Sequence, residues 1–319
     1  MVGKRSMSKK IVYVTGCLGF IGYHVTRACL EQGWYVRGVD KGTYAANWNL
    51  LPELQKYKTF TFEHKDINDI DRIYDSDYFI NTAAETHVDN SIESSDEFVH
   101  SNIDGVHHLL KLINQKKLQK PIFLHFSTDE VYGDIEQGSH TEQDLLRPSN
   151  PYSATKAAAD MLVMAWGRTH NLPYIIVRPT NNYGIGQYVE KLIPKTCKFF
   201  TIGKRVDLHN NGTPVRTWLH ASDTASAIIK IIESGVTNEI YNISGNLELQ
   251  NIEVVKKVSK IMHNTDDVSS YIEDSVRKGQ DVRYSIDDSK LKKLGWRPQA
   301  EFDTELKKIV KYYKNNFIW

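Results

Sequence analysis

The sequence predicts an α/β protein in which a doubly wound parallel sheet forms the larger part and a smaller C-terminal lobe follows. Through the first half of the 319 residues, apolar strand-like segments alternate with helix-like segments, as a parallel sheet covered on both faces requires. A glycine-rich turn follows the first strand, and after about Pro179 the alternation weakens. We therefore expect a mobile tail over 1–10, a sheet domain over 11–178 and a lobe over 179–319. Some segments, such as a helix from Ala221 to Glu233, are expected to return to the larger domain.

The first element is the strand Ile11 to Val14, and the glycine-rich turn Thr15 to Gly22 follows it at once. Glycines in such a turn let the backbone approach a pyrophosphate closely. The pyrophosphate then sits at the N-terminus of the next helix, here the one running through His24 to Glu31. This pattern predicts a Rossmann-type nucleotide site with contacts from Gly16, Gly19, Phe20, Ile21 and Gly22.

The second strand, Tyr35 to Val39, ends in Asp40, which lies 18 residues after Gly22. A carboxylate at this place accepts hydrogen bonds from both hydroxyls of an adenosine ribose and repels a 2′-phosphate, so NAD is favoured over NADP. The alternative is an ordinary glycine turn followed by a surface Asp. Later strands, Phe60 to Glu63 and Tyr78 to Asn81, lead to Asp66-Ile67, expected at the adenine, and to Ala83-Ala84, expected beside the cofactor backbone.

Composition narrows the possible partners and surroundings. The formal net charge of +1 gives no general case for binding nucleic acid or an anionic membrane surface. Cys17, Cys29 and Cys197 lack metal-ligand spacing and form no obvious disulfide framework, so we expect no metal and a reducing, cytoplasmic setting. No apolar stretch approaches the length of a membrane span, and Met1 to Lys10 lacks the apolar core of a signal peptide. Met7 is an alternative translation start.

The chemistry-bearing residues follow the strand Ile122 to Ser127. Thr128-Asp129-Glu130 come directly after it, and Tyr152 and Lys156, four residues apart, share one face of a helix that starts at Pro151. A nearby ammonium ion favours the tyrosinate form, so Tyr152 is expected to act as a base while Lys156 also holds a nicotinamide ribose. Adjacent Asp and Glu add an acid and a base, which indicates oxidation and elimination in one pocket. The alternatives are a helix cap for the carboxylates and surface decoration for the Tyr/Lys pair.

Several further motifs extend this pattern along nearly the whole chain. They are Asp40-Lys41-Gly42-Thr43-Tyr44-Ala45, Ala83-Ala84-Glu85-Thr86-His87-Val88-Asp89, Ser127 to Gly133, Asn181-Asn182-Tyr183-Gly184, Glu190-Lys191 and Arg216-Thr217-Trp218-Leu219. With them the chain resembles the extended short-chain dehydrogenase/reductases, and within that group the nucleotide-sugar 4,6-dehydratases. The Asp129-Glu130 pair is the specific part, since sugar epimerases of similar fold generally lack it.

The resemblance implies a catalytic set of Thr128, Asp129, Glu130, Tyr152 and Lys156. Tyr152, assisted by Thr128, takes the proton of the glucose 4-hydroxyl while carbon 4 is oxidised by NAD. Glu130 then removes the proton on carbon 5, and a protonated Asp129 donates to the departing 6-hydroxyl. The hydride returns to carbon 6, which yields a 4-keto-6-deoxy sugar. This scheme requires a raised pKa at Asp129 and an ionised Glu130.

The resemblance also implies a nucleotide-sugar site formed by Thr86, Asn182, Glu190, Lys191, Arg216 and Asn251. Arg216 suits the diphosphate because its guanidinium makes bidentate contacts. Gln280 stands where bacterial relatives commonly show His. Segments 150–156 and 161–168 resemble the dehydratase portion of plant-type UDP-rhamnose synthases, whereas Thr43-Tyr44-Ala45 is closer to the dTDP-glucose enzymes, so both nucleotides stay open.

The family also suggests a homodimer built from helices near Asp96 to Asn114 and Tyr152 to His170, although an amphipathic face there could equally belong to the domain's own core. Two other functions remain as alternatives. A nucleotide-sugar 4-epimerase would use the same Tyr152 and Lys156 without eliminating water. A non-catalytic NAD-binding regulator would keep the glycines but would not need the five catalytic residues together.

Overall fold

The computed structural model describes residues 9–117, 119–279 and 281–316. Of the expected tail it therefore describes only Lys9 and Lys10, and Met7 lies outside the described residues. The strands are β1 (Ile11–Thr15), β2 (Tyr35–Asp40), β3 (Phe60–His64), β4 (Tyr78–Asn81), β5 (Ile122–Phe126), β6 (Tyr174–Pro179), β7 (Asn181–Tyr183), β8 (Val206–His209), β9 (Val215–His220), β10 (Glu239–Ile243), β11 (Leu247–Gln250) and β12 (Ile272–Ser275).

The helices cover both the sheet and the lobe. They are α1 (Phe20–Glu31), α2 (Leu51–Gln55), α3 (Val88–Glu93), α4 (Asp96–Val99), α5 (Gly105–Asn114), α6 (Pro151–His170), α7 (Leu192–Thr201), α8 (Ala221–Ser234), α9 (Asn251–His263), α10 (Ser289–Lys293) and α11 (Phe302–Tyr313). A π-helical turn, His100–Asp104, joins α4 to α5, and a 3₁₀ turn, Asp129–Tyr132, follows β5. None of the helices in the described ranges is long and apolar enough to cross a membrane.

The main sheet has seven parallel strands in the order β10-β6-β5-β4-β1-β2-β3. β1 lies between β2 and β4, so Val12 pairs with both Val36 and Tyr78. Reversal of strand order beside the first strand is the arrangement of a doubly wound sheet, in which ligands bind at the carboxyl ends of the strands. The predicted fold class is confirmed.

The start of helix α6 positions Tyr152 and Lys156. Asn150 caps the helix by accepting a hydrogen bond from the Ser153 N–H (2.9 Å), and the Ser153 hydroxyl completes a capping box. Pro151 occupies the first turn, where its missing N–H costs nothing. Tyr152 and Lys156 therefore lie in the first two turns of a helix that begins where the sequence predicted.

The second half of the chain builds a separate core around Tyr183, Trp218 and Phe302. Its sheets are β11-β9-β7 and β12-β8. Two of its segments return to the larger sheet: α8 packs against α1, and β10 pairs in parallel with β6. The predicted helix Ala221 to Glu233 is thus confirmed and extends by one residue.

Candidate active site

The glycine turn after β1 is tightly constrained. Gly16 has a φ of +70°, and a Cβ there would lie 2.8 Å from the backbone nitrogen of Ala83. A Cβ on Gly22 would lie 1.9 Å from the Gly16 carbonyl oxygen. Gly19 is the N-cap of α1, where no side chain caps the helix and no acidic residue stands in the first turn. The first N–H groups of α1 consequently face the cavity without a side-chain partner, as an anion site requires.

Asp40 closes the same end of the cavity from the tip of β2. Its Oδ2 accepts a hydrogen bond from the Leu18 N–H (2.9 Å), and its Oδ1 accepts one from the Gly42 N–H (2.8 Å). Burial raises the pKa of this carboxyl, and these two backbone donors, together with the Gly19 N–H, oppose the rise. A carboxylate has about four acceptor sites, so acceptor capacity remains for a ribose hydroxyl.

The other expected cofactor contacts follow neighbouring strands. Asp66 caps a short turn through the Asn68 N–H (2.9 Å), and its Oδ2 lies 3.4 Å from the Lys41 ammonium nitrogen. Ile67 is buried. Ala83 and Ala84 follow β4, where Ala83 closely faces Gly16. All four residues line the cavity.

The catalytic candidates meet at the end of β5. The Thr128 hydroxyl donates to Asp129 Oδ1 (3.2 Å) and accepts from the Glu130 N–H (3.3 Å). It is also hydrogen-bonded to the Tyr152 phenol. Asp129 is only 2% exposed, and its Oδ2 has no hydrogen-bond partner among the described residues. An unpartnered buried carboxyl oxygen in a cavity wall is a feature of functional sites rather than of stable cores.

The two carboxyls are electrostatically coupled. Burial raises the pKa of Asp129 to about 7, and the Glu130 carboxylate adds to the rise. Burial also raises the pKa of Glu130, but the Arg216 guanidinium and the Lys191 ammonium oppose it. The expected increase at Asp129 is therefore confirmed, and the cations favour the ionised form of Glu130.

The expected activation of Tyr152 is not seen. Burial raises the pKa of its phenol above the usual range, the Glu130 carboxylate adds to this, and the hydrogen bond with Thr128 opposes it. Lys156 is not among the groups that shift the pKa of this phenol, and its Nζ donates to the Phe126 carbonyl oxygen (2.6 Å). The prediction that this ammonium ion favours tyrosinate is wrong for the chain by itself. Burial lowers the pKa of Lys156 to about 8.

The residues expected to bind the substrate lie in two places. Lys191 reaches across to the loop after β4, where its Nζ donates to the Thr86 carbonyl oxygen (3.1 Å), and it lies 3.2 Å from Glu190. Arg216 is buried with its guanidinium 4.3 Å from the centre of the Tyr284 ring. Asn251 starts α9 and donates its N–H to the Pro214 carbonyl oxygen (3.1 Å).

One cavity brings most of the predicted residues together. Its wall includes Gly16, Gly19, Phe20, Ile21, Gly22, Asp40, Asp66, Ile67, Ala83, Ala84, Thr86, Thr128, Asp129, Glu130, Tyr152, Asn182, Glu190 and Lys191. Lys156, Arg216 and Asn251 are described but lie outside this wall. Gln280 lies outside the described residues.

Asn102 is a site-supporting residue that sequence reasoning missed. It is 1% exposed and lies in the π-helical turn. Its Oδ1 accepts from the Glu85 N–H (2.9 Å), and its Nδ2 donates to the Thr155 hydroxyl (2.9 Å). Asn102 thus joins the loop after β4 to Thr155, which lies between Tyr152 and Lys156 on α6. The available signal was an amide within a helical stretch otherwise predicted only as a dimer contact.

The strand order, the glycine turn at α1 and the Tyr/Lys pair on α6 define a protein of the short-chain dehydrogenase/reductase type. The chain belongs to the GDP-mannose 4,6 dehydratase family, whose model matches residues 13–309. The expected resemblance to nucleotide-sugar dehydratases is therefore confirmed.

Individual relatives agree over nearly the whole chain. A dTDP-glucose 4,6-dehydratase from Haemophilus influenzae is 38% identical over 333 residues, which covers 96% of this chain and 98% of that protein. A crystal structure of the Streptomyces venezuelae dTDP-glucose 4,6-dehydratase with NAD and TYD bound superposes with a TM-score of 0.91 at 36% identity, covering 96% of this chain and 97% of that one. An Arabidopsis thaliana trifunctional UDP-glucose 4,6-dehydratase/3,5-epimerase/reductase is 38% identical over 323 residues, covering 97% of this chain and 48% of that protein.

Proposed function

We propose that this chain is an NAD-dependent nucleotide-sugar 4,6-dehydratase, a hydro-lyase that converts dTDP-glucose or UDP-glucose into the 4-keto-6-deoxy sugar and water. The observation that carries the proposal is the buried Asp129 carboxyl, which lines one cavity with Thr128, Glu130 and Tyr152. Elimination needs an acid and a base at the same sugar, and this cavity holds both. Relatives that match nearly the whole chain are named for the reaction.

The residues that line the cavity suit the successive parts of NAD. The uncapped N-terminus of α1 would hold the pyrophosphate, Asp40 the adenosine ribose, and Asp66 with Ile67 the adenine. Ala83 and Ala84 leave room for the cofactor backbone. When bound, NAD supplies a hydride acceptor for carbon 4 of the sugar and afterwards the donor for carbon 6.

Tyr152 is assigned as the acceptor of the 4-hydroxyl proton. Its phenol is neutral in the chain by itself, because burial and the nearby carboxylates disfavour the phenolate. Protonation of Asp129 removes one of those negative charges. The acid role of Asp129 and the base role of Tyr152 therefore support each other, while Thr128 holds a hydrogen bond to both side chains.

Asp129 and Glu130 are assigned opposite roles in the loss of water. Oxidation at carbon 4 acidifies the proton on carbon 5, and Glu130 removes that proton and returns it to carbon 5 when carbon 6 is reduced. Asp129 donates its proton to the 6-hydroxyl, which leaves as water when the bond from carbon 6 to oxygen breaks. A pKa of about 7 lets Asp129 hold its proton near neutral pH.

On the substrate side, we assign contacts with the nucleotide sugar to Thr86, Asn182, Glu190 and Lys191, which line the cavity. Arg216 and Asn251 stay predictions for the diphosphate and the nucleotide. By this division, 11–178 together with α8 and β10 form the NAD-binding domain, and the rest of 179–319 forms mainly the substrate lobe.

Further properties belong to the proposal. The two nucleotides differ by one methyl group, about 1 kcal/mol in a pocket, so both remain substrates to test. Val99 and Met161, apolar residues that are 41% and 50% exposed near α5 and on α6, support a homodimer through these helices. The three cysteines are free and buried, which supports an intracellular, cytoplasmic setting. The 4-keto-6-deoxy product is a precursor for rhamnose formation.

The test is mass spectrometry of dTDP-glucose and UDP-glucose after separate incubation with the purified protein and a trace of NAD. Loss of one water from either sugar is expected, and it also identifies the preferred nucleotide. An unchanged mass with a new sugar stereoisomer would establish the epimerase instead. Glu130→Gln should abolish water loss, whereas Glu136→Gln, the same change at an exposed position outside the cavity wall, should retain it.

A further inference from the structure

Asp160 is a wholly buried carboxyl that the proposed mechanism does not use. It lies on α6, one helical turn after Lys156, and it is 0% exposed. Residues four apart on a helix lie on the same face, so Lys156 and Asp160 point into the same compartment under the sheet. A buried Asp requires partners, and those partners show what it supports.

The partners of Asp160 come from two strands of the catalytic sheet. Its Oδ2 accepts hydrogen bonds from the Ser127 hydroxyl (2.9 Å) and from the Arg178 Nε (3.0 Å), and a second Arg178 nitrogen lies 2.9 Å away. Ser127 immediately precedes Thr128, the first residue of the catalytic run. Arg178 stands near the end of β6, so Asp160 joins α6 to β5 and β6 where the active site is built.

Charge in this compartment is unbalanced without Asp160. Lys156 and the permanently charged Arg178 on β6 both act on Asp160 and on His125 of β5. His125 Nε2 lies 3.8 Å from Asp160 Oδ1, and burial lowers the pKa of His125 well below its usual range, so its ring is neutral.

On the catalytic side, Asp129 and Glu130 lie in the 3₁₀ turn packed against α6, and their charges act on Tyr152. Among the described residues, Asp160 is the group whose charge acts on Lys156. Asp160 is thus the carboxylate that balances Lys156 and Arg178 on the buried side.

We infer that Asp160 is a positioning residue that keeps Lys156 in its ammonium form and fixes the strand end that carries Thr128, Asp129 and Glu130. The Lys156 ammonium bonds the Phe126 carbonyl oxygen at 2.6 Å, a geometry that a neutral amine holds less firmly. The inference rests on the proposed dehydratase function, in which the family resemblance gives Lys156 a catalytic role, but the charge state of Lys156 can be measured without turnover.

The primary test is an NMR titration of Lys156 in protein labelled with ¹³C-lysine, with the Cε resonance assigned by its loss in Lys156→Met. Asp160→Asn keeps the shape and an acceptor oxygen but removes the charge. We expect the titration midpoint of Lys156 to fall by about one pH unit or more, because an opposite charge nearby has been lost. An unchanged midpoint would overturn the inference.

A matched control separates charge from packing. Tyr132→Phe removes the hydroxyl that bonds Arg178 (2.7 Å) and Asn242 (2.9 Å) in the same buried network, but it leaves every charge in place. Its Lys156 midpoint should equal that of the wild type. An equal decrease in both variants would show a merely structural effect and would also overturn the inference.

Kinetics give an independent readout. The quantity to follow is the ratio of kcat for Asp160→Asn to kcat for the wild type, because titrations common to both proteins cancel in it. If the Lys156 midpoint falls by one unit, this ratio should decrease about fivefold between about pH 6 and pH 8. A constant ratio contradicts the proposed coupling. If the wild type dehydrates neither sugar, the proposed function fails, and the NMR titration still decides this inference.

The substitution of a buried Asp can prevent folding. In that case Arg178→Gln supplies a second test. Arg178 and Lys156 both act on the Asp160 carboxylate, so removal of Arg178 leaves that carboxylate to Lys156 and should raise the Lys156 midpoint. A lowered or unchanged midpoint in Arg178→Gln would contradict the assigned role of Asp160.

Discussion

Two buried aspartates near the Tyr152/Lys156 pair have very different surroundings. Each has one carboxyl oxygen, Asp129 Oδ2 and Asp160 Oδ1, without a hydrogen-bond partner among the described residues. Asp129, 2% exposed, receives one hydrogen bond through its other oxygen, from the uncharged Thr128 hydroxyl. Asp160, 0% exposed, is bonded through its Oδ2 to Ser127 and to the guanidinium of Arg178. Burial raises the pKa of both carboxyls.

The difference shows that the bonded cation, rather than burial, separates the two roles. At Asp160 the Arg178 guanidinium, the Ser127 hydroxyl and the Lys156 ammonium all favour the ionised form. At Asp129 burial and the Glu130 carboxylate outweigh the Arg216 guanidinium, which makes no hydrogen bond to it, and the pKa rises to about 7. Asp129 is therefore able to exchange a proton near neutral pH, whereas the partners of Asp160 favour its ionised form.

The largest expected effect is on turnover. Asp129→Asn removes the proposed acid and should lower kcat for dehydration by about a hundred- to ten-thousand-fold below about pH 7, where the wild-type Asp129 holds its proton. This deficit should shrink at higher pH, whereas the deficit of Asp160→Asn should grow as the pH rises. Both are measured by mass spectrometry of the product over time. A loss of less than about tenfold in Asp129→Asn below about pH 7 would show that another group protonates the leaving hydroxyl.

The second effect is on stability, where Asp160→Asn should have a larger effect than Asp129→Asn. Asp160→Asn leaves the buried Arg178 without its counter-charge and should lower the free energy of unfolding by about 3–5 kcal/mol. Asp129→Asn should change it by less than about 1 kcal/mol or increase it, because an unpartnered buried carboxylate is itself costly. Urea denaturation of both variants at one NAD concentration checks this. Equal losses would remove the distinction between the two sites.

The third effect is a pH dependence of that stability difference. The folded pKa of Asp129, about 7, lies above its ordinary value of 3.8, so protonation favours the folded state. The resulting penalty is absent below the ordinary value, grows as the pH rises and is complete above about 7. The wild type should therefore lose stability relative to Asp129→Asn between about pH 4 and pH 7 and remain parallel to it above. The control Glu136→Gln should follow the wild type throughout.

The smallest effect concerns the hydroxyl behind the Asp160–Arg178 pair. Tyr132→Phe removes hydrogen bonds to Arg178 and Asn242 and should cost about 1 kcal/mol of unfolding free energy. Its kcat should stay unchanged, because both charges remain. A cost as large as that of Asp160→Asn would mean that hydrogen bonding, not charge balance, dominates this network.

The cofactor side of the site could be predicted because its signals are local. Strands such as β1 and β4 are buried on both faces, so short apolar runs mark them, and the residues that follow each run must lie at the carboxyl edge of the sheet. The strand bounds agree within two residues, and the largest difference is at β6, which continues through Arg178 to Pro179.

The remaining features depend on contacts between distant parts of the chain. The spacing of Tyr152 and Lys156 was correct, but spacing does not reveal that the Lys156 Nζ bonds the Phe126 carbonyl oxygen instead of supporting the phenol. Arg216 was expected at the diphosphate, and its position against Tyr284 depends on a segment 68 residues further along the chain. Asn102 was missed because an amide within a helical stretch does not reveal which distant groups it bonds.

The position of β10 in the sheet has a consequence for synthesis of the protein. A nascent chain that has emerged as far as Ser234 contains six strands of the seven-stranded sheet and still lacks β10. Asn242 on that strand accepts the hydrogen bond from Tyr132, which in turn contacts Arg178. The buried network that ends at Asp160 can therefore close only after β7, α7, β8 and β9 have left the ribosome. Co-translational maturation of the catalytic half is thus tied to production of a large part of the lobe.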